Sequence, residues 1–260
     1  MHQLNQVVAA VQAAGDAIKS RFTITSRPQD RQDIVGLIQA NDDISMRILR
    51  AQLSPVFPAA RWDEDESGSG ALPGGEWWVV DPVEGAINHI HGLGEWSVTA
   101  TLVRDNAPVL TAVYLPMTGD LYTASAGGGA HLNGRRLQAS QKTELRAAMV
   151  GTGQATPDEG AATYQRIGSA VSAMLQAALV VRVSVPATLQ LIHVASGSQD
   201  VFWQHSQVRS GLMAGALLVA EAGGSITDLH GAPWHTGSSA FLASAPGLTA
   251  AAVAVLGEAQ

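Results

Sequence analysis

The stretch Trp77-Trp78-Val79-Val80-Asp81-Pro82-Val83-Glu84-Gly85-Ala86-Ile87-Asn88 holds the residues whose types and order can do chemistry. An apolar, strand-forming run ends in an acid. A proline then stops the strand, a second acid follows three residues after the first, and a glycine lets the backbone turn. A carboxylate at the C-terminal edge of a strand faces the crevice where α/β proteins bind ligands. Asp81 can bridge two cations with its two oxygens, the Val83 carbonyl can be a third kind of ligand, and Glu84 can hold a second ion. Gly85 and Ala86 then start a helix whose free N–H groups and dipole favour a phosphate. The donors are all oxygens, so Mg2+ is favoured over zinc. Spacing alone leaves a plain strand–turn–helix with solvated acids equally open, because short motifs are weak signals.

These residues sit in a chain of 260 residues, long enough for a sizeable core and for one large or two small domains. Hydrophobic residues make up 46% and charged residues 14%, the balance of a packed protein rather than a disordered one. A net charge of −7 argues against nonspecific nucleic-acid binding, and metal ions can still bring an anionic substrate to an acidic protein. The chain has no cysteine, so disulfides, thiolate metal sites and cysteine nucleophiles are excluded. Its first residues lack the basic start and apolar core of a signal peptide. No apolar run reaches the ~18–20 residues of a membrane helix, and a cytoplasmic location is the expectation.

Apolar residues at helical spacing predict a first helix over 4–22, and Asn41 to Asp43 can cap a second one that ends at Pro55 and Pro58. Residues 23–35 read as irregular and 63–76 as an acidic, glycine-rich loop. Strand signals at 77–80, 96–103, 109–114 and 121–124 predict an antiparallel meander, with one more short hairpin at 127–134. From 147 the pattern alternates. Strands are expected at 147–151, 179–183, 201–203, 225–229 and 240–243. Helices are expected at 160–175, 187–195, 212–222 and 248–256, the third of these capped by Gly223-Gly224. Such alternation predicts a mixed sheet layered with helices. The expected division is an N-terminal α+β half, 1–143, carrying the acidic motif, and a C-terminal α/β half, 144–260.

The words around the motif resemble the inositol monophosphatase family of lithium-sensitive, Mg2+-dependent phosphatases. That family's hallmark is an aromatic-led strand, Asp-Pro-x-Asp-Gly-Thr-x-Asn, a His-Gly and a Ser-led strand. Here Trp78 to Asn88 is followed by His91-Gly92 and Ser97-Val98. Asp65-Glu66-Ser67 looks like the family's Glu-Glu-Ser loop. Gly127-Gly128-Gly129-Ala130 with Asn133-Gly134 looks like its glycine-rich hairpin. Residues Ala214 to Gly224 match its C-terminal helix and Gly-Gly cap. The similarity covers nearly the whole chain. It implies a layered αβαβα sandwich, metal-dependent hydrolysis of a small phosphate monoester such as an inositol or sugar phosphate, Mg2+ or Mn2+ as cofactor, and a homodimer.

Residue by residue, the resemblance implies that one ion is held by Glu66, Asp81 and the Val83 carbonyl, with Glu64 an alternative to Glu66. The second ion would take Asp81, Glu84 and a third position where the family has aspartate and this chain has Gly211. Ala86 stands where the family has the threonine that helps activate water, and Asp42 matches that threonine's acidic partner. Gln204 stands where a glutamate often meets substrate hydroxyls. The segment that approaches the substrate reads Val185-Pro186-Ala187-Thr188, bulkier than usual. Arg209 is a candidate to hold phosphate with its guanidinium fork, and Arg31 is the nearest basic residue to an expected early lysine. His89 reads first as a packed histidine and second as a metal ligand, and Asp200 as structural. The expectation is therefore fewer ions than in typical members and weakened hydrolysis. The alternative is a catalytically inactive member that binds an anion, a sugar phosphate or a protein partner.

Overall fold

The computed structural model describes residues 2–25, 27–65, 68–154, 156–205 and 208–259. Two helices, α1 (His2–Lys19) and α2 (Arg31–Leu53), precede a sheet made of β1 (Arg61–Trp62), β2 (Glu76–Glu84), β3 (Ser97–Arg104), β4 (Ala107–Leu115), β5 (Asp120–Ser125), β6 (Gly129–Leu132) and β7 (Arg135–Arg136), with the short helix α3 (Ala86–Ile90) after β2. The seven strands lie in chain order, antiparallel apart from the parallel β1–β2 pair. The chain continues through β8 (Met149–Thr152), α4 (Ala161–Ala177), β9 (Val180–Val183), α5 (Ala187–Ala195), β10 (Val201–Gln204), α6 (Ser210–Glu221), β11 (Ser225–Thr227), β12 (Phe241–Ser244) and α7 (Thr249–Glu258). The second sheet has the order β11-β12-β10-β8-β9 and is mixed: β8 is parallel to both β9 and β10, and β12 is antiparallel to both its neighbours.

The apolar faces stack these elements in five layers. Val7, Val11, Leu49 and Leu53 of α1 and α2 pack on Trp78, Val98, Leu102 and Tyr114 of the first sheet. Leu191, Ile192, Leu212 and Leu218 of α5 and α6 fill the middle, between Val113 and Tyr122 on one side and Phe202 and Phe241 on the other. Met174 and Leu256 of α4 and α7 cover the far face with Val150, Trp203 and Leu242. The expected αβαβα sandwich is present. In the middle layer α5 and α6 touch closely, because Gly215 has no Cβ to meet the Leu191 side chain.

Two elements differ from expectation. β2 does not stop at Pro82: it runs to Glu84, and the register shifts between Asp81↔Thr99 and Glu84↔Ser97, which places two residues opposite one. Its other neighbour, β1, pairs only at Trp77 and Trp78, so the Pro82 nitrogen has no ladder bond to lose there. The second difference is α2, which starts at Arg31 rather than near 41. Asp30 caps it, its side chain accepting from the N–H groups of Gln32 and Asp33. The buried residues of α2 begin only at Asn41, so its first turns project past the sheet and carry no core periodicity.

Candidate functional site

The register shift in β2 aims its end into a cleft. Asp81 Oδ1 accepts from the Val83 N–H at 3.2 Å, which bends the chain, and the Asp81 N–H donates to Thr99 Oγ1 on β3 at 3.2 Å. Ser45 Oγ on α2 donates to the Pro82 carbonyl at 2.7 Å and fixes the bend from below. Gly85 then takes φ 88°, and a Cβ there would lie 2.9 Å from the Glu95 carbonyl oxygen, so glycine is required. Asn88 closes the turn, its Nδ2 donating to the carbonyls of Glu95 (2.8 Å) and Val185 (3.1 Å). The helix begun at Ala86, α3, is five residues long.

The cleft encloses about 490 Å³, a volume suited to one small ligand. Asp81, Val83, Glu84, Gly85, Ala86, Ala187 and Gln204 all line it, so one cleft unites seven of the residues singled out in the sequence. Asp81 and Glu84 are 7% and 4% exposed. Glu84 Oε1 faces the first turn of α5, 3.5 Å from the Thr188 N–H, where the helix dipole favours an anion. Thr188 Oγ1 donates to the Gly211 carbonyl at 3.1 Å and so links the starts of α5 and α6. A Cβ at Gly211 would sit 3.8 Å from both Glu84 carboxylate oxygens and 4.0 Å from Ala187 Cβ, in ordinary contact. A Cβ at 211 would thus lie beside Glu84 without collision. Gln204 is 2% exposed, and no described donor reaches its Oε1.

The donor set is one for a hard cation. Two buried carboxylates line the cleft, and its described lining has no Lys, Arg or His. Glu66 lies outside the described residues, and among the described residues no three acidic, His or Cys side chains gather as a metal-binding group. Its alternative, Glu64, is engaged elsewhere, 2.5 Å from Arg50 at the surface.

Arg209 is a correction. Its guanidinium does not line the cleft; it grips Asp63 through Nε (2.8 Å) and Nη2 (3.0 Å), and its Nη1 donates to the Ser69 and Gly70 carbonyls. The ion pair is buried, with side chains 7% and 9% exposed, and the Arg209 N–H adds a bond to the Gly68 carbonyl. It is a fastener for the loop after β1, with its donors committed to that loop rather than to phosphate. Arg31 pairs with Asp158 on the surface at 2.7 Å. His89 is 4% exposed, edge-on to Phe22 and Trp96, and its two ring nitrogens face the Ile18 carbonyl (3.2 Å) and Asn41 Nδ2 (3.3 Å). Burial pushes its pKa below 6.5, opposed by the Ile18 carbonyl and assisted by Arg21. It is a packed neutral ring. Asp200 accepts from Lys142 Nζ (2.8 Å) and the Met149 N–H (2.7 Å), the structural role expected of it.

Sequence reasoning missed two walls of the cleft. Ile34 and Ile38 come from the unexpected first turns of α2; the Asp30 cap with Asp33 in the first turn was the signal for them. Gln154, Thr156 and Pro157 come from the loop after β8, which carried no motif.

The fold is similar to that of an inositol monophosphatase from Anabaena, with a TM-score of 0.82 and 25% identity over 98% of this chain and 95% of that one. The chain belongs to the inositol monophosphatase family, whose model matches residues 2–259. An inositol-1-monophosphatase of Rhizobium meliloti is 32% identical over 240 residues, 90% of this chain and 89% of that protein. A Nus factor SuhB of Pseudomonas aeruginosa is 30% identical over 246 residues, 92% of this chain and 88% of that protein. No described helix is long and apolar enough to cross a membrane.

Proposed function

We propose that this protein is a metal-dependent phosphomonoesterase of slowed turnover, acting on a small phosphorylated metabolite. The observation that carries the reading is the lining of the cleft: two buried acids and no basic side chain among the described residues. A phosphate dianion enters such a place only with a cation, because like charges in a low-dielectric cleft repel strongly. Asp81, the Val83 carbonyl and Glu66 would hold Mg2+ or Mn2+, with Glu84 left for a weaker second position. The ion would supply positive charge against the phosphate oxygens.

The chain's own groups do the rest. Gly85 and Ala86 would turn backbone toward the phosphate, and the Thr188 N–H at the start of α5 orients Glu84. Hydrolysis breaks the ester P–O bond and forms one between phosphorus and water oxygen; one water proton goes to the departing alcohol and the other stays on phosphate. Nothing at Ala86 can orient that water, and no carboxylate at Gly211 complements Glu84. Each role costs about 10²-fold or more when lost. The same two positions favour a second reading, a non-catalytic binder of phosphate esters or of a protein partner, and the SuhB relative keeps it in view.

Release of inorganic phosphate from a panel of monoesters, with Mg2+ or Mn2+, tests the proposal. Slow turnover that a chelator and Asp81→Asn both abolish is the expected result. Metal-dependent binding with no turnover selects the second reading, and absence of both overturns the site. The homodimer and cytoplasmic location rest on the resemblance and composition; sedimentation equilibrium tests the first and fractionation the second.

A further inference from the structure

The apolar part of the cleft lining is unlike a polyol site. Ile34 and Ile38 on α2, Ile87 on α3, and Val185 and Pro186 before α5 form it together. Ile87 and Val185 are 38% and 37% exposed, so two large apolar side chains stand open to water on a concave surface. None of the five has a side-chain donor or acceptor. A polyol brought against them would surrender hydration at several hydroxyls and gain no partners, whereas an apolar group would remove the same surface from water. The architecture holds these residues in place rather than leaving them loose. Asn88 ties α3 to the Val185 carbonyl, and the Pro186 ring packs against the Gly85 turn. The Asp30 cap orders the first turn of α2, the turn that carries Ile34 and leads to Ile38. Of the polar lining, Gln154 Nε2 is already bonded to the Thr156 carbonyl at 2.8 Å. Gln204 Oε1 is buried with no described donor, and this one side chain cannot meet a whole ring of hydroxyls.

We propose that the cleft selects phosphate monoesters whose alcohol part is an aromatic or alkyl group rather than a polyol, because Ile34, Ile38, Ile87, Val185 and Pro186 line it beside the phosphate position. The proposal rests on the phosphate reading of the site given above. It makes Ile87 and Val185 specificity-determining residues.

Calorimetric titration of the Mg2+-loaded full chain with phenyl phosphate, inositol 1-phosphate and inorganic phosphate tests it. Phenyl phosphate is expected to bind about tenfold tighter or more than inositol 1-phosphate, the scale of one or two apolar contacts. Its heat-capacity change is expected to be the more negative, the mark of apolar burial. Ile87→Ser and Val185→Ser each shrink that ratio severalfold. Both side chains are partly exposed, so the fold should tolerate them; Ile38→Ser, checked by its melting curve, is the second line. Equal or tighter binding of inositol 1-phosphate, or a ratio the variants leave unmoved, overturns the selectivity while inorganic phosphate still binds. If inorganic phosphate and both esters all fail to bind with Mg2+, the phosphate reading falls and this proposal falls with it.

Discussion

Position 211 adjoins the Glu84 carboxylate. A Cβ there would lie 3.8 Å from both oxygens of Glu84, in ordinary contact. Gly211→Asp combined with Ala86→Thr is therefore expected to raise Mg2+-dependent phosphate release by about 10²-fold, the usual worth of a positioned acid–base group. Steady-state assays of the double variant against the parent decide it, and unchanged rates would mean that the slow step lies elsewhere. Arg209 gives a stability prediction. Arg209→Met strands the Asp63 carboxylate in a site 9% exposed, and leaving one member of a buried pair costs about 3–5 kcal/mol. Denaturant titration measures this, and Arg209→Met with Asp63→Asn should recover part of the loss. Asp81, Glu84 and Gly85 could be read from residue order, because a strand-end acid and a glycine turn are local patterns. The direction of the Arg209 guanidinium could not. Its partner Asp63 lies 146 residues away, and no local pattern says whether a fork faces ligand or protein.

The elements show the same division between local and distant causes. The helix at residues 187–195 and the meander were legible because they are nearly continuous apolar runs bounded by turn residues: α5 is buried at seven of nine positions and β3 at seven of eight. The first turns of α2 were not, because Ile34, Val35, Leu37 and Ile38 face the cleft or solvent rather than the core, and exposed apolar residues blur a helical stripe. β2 ran through Pro82 because its neighbour β1 is two residues long, which a strand read alone does not reveal. The Glu221 carboxylate likewise reaches across to accept from the Gly127 and Gly129 N–H groups at 2.7 and 2.8 Å, fastening the end of α6 to the glycine-rich turn between β5 and β6. The packing of α5 against α6 makes its own prediction. Gly215→Ala forces a methyl into the Leu191 side chain and is expected to destabilise by about 1–3 kcal/mol, read as a lower melting temperature. A neutral result would mean the two helices can part without cost.

For the molecule as a whole, His89, His193 and His205 all have pKa values held below 6.5, in each case chiefly by burial. The unfolded chain therefore takes up protons before the native rings do. Their contribution to stability is full above about pH 6.5 and is lost as pH falls below it, until the native rings protonate as well. Thermal melts from pH 7.5 to 5 are expected to show this decline, and His89→Gln should flatten it; a melt unaffected by pH in that window would refute it. The fastening of Asp63 by Arg209 has a consequence in the order of synthesis. Ribosomes deliver the chain from its N-terminus, so the acidic loop, Asp81 and the whole first sheet emerge well before residue 209 exists. Until then the loop has no guanidinium to close on. The newborn protein thus secures this loop only after β8, β9 and β10 of its second sheet have been made.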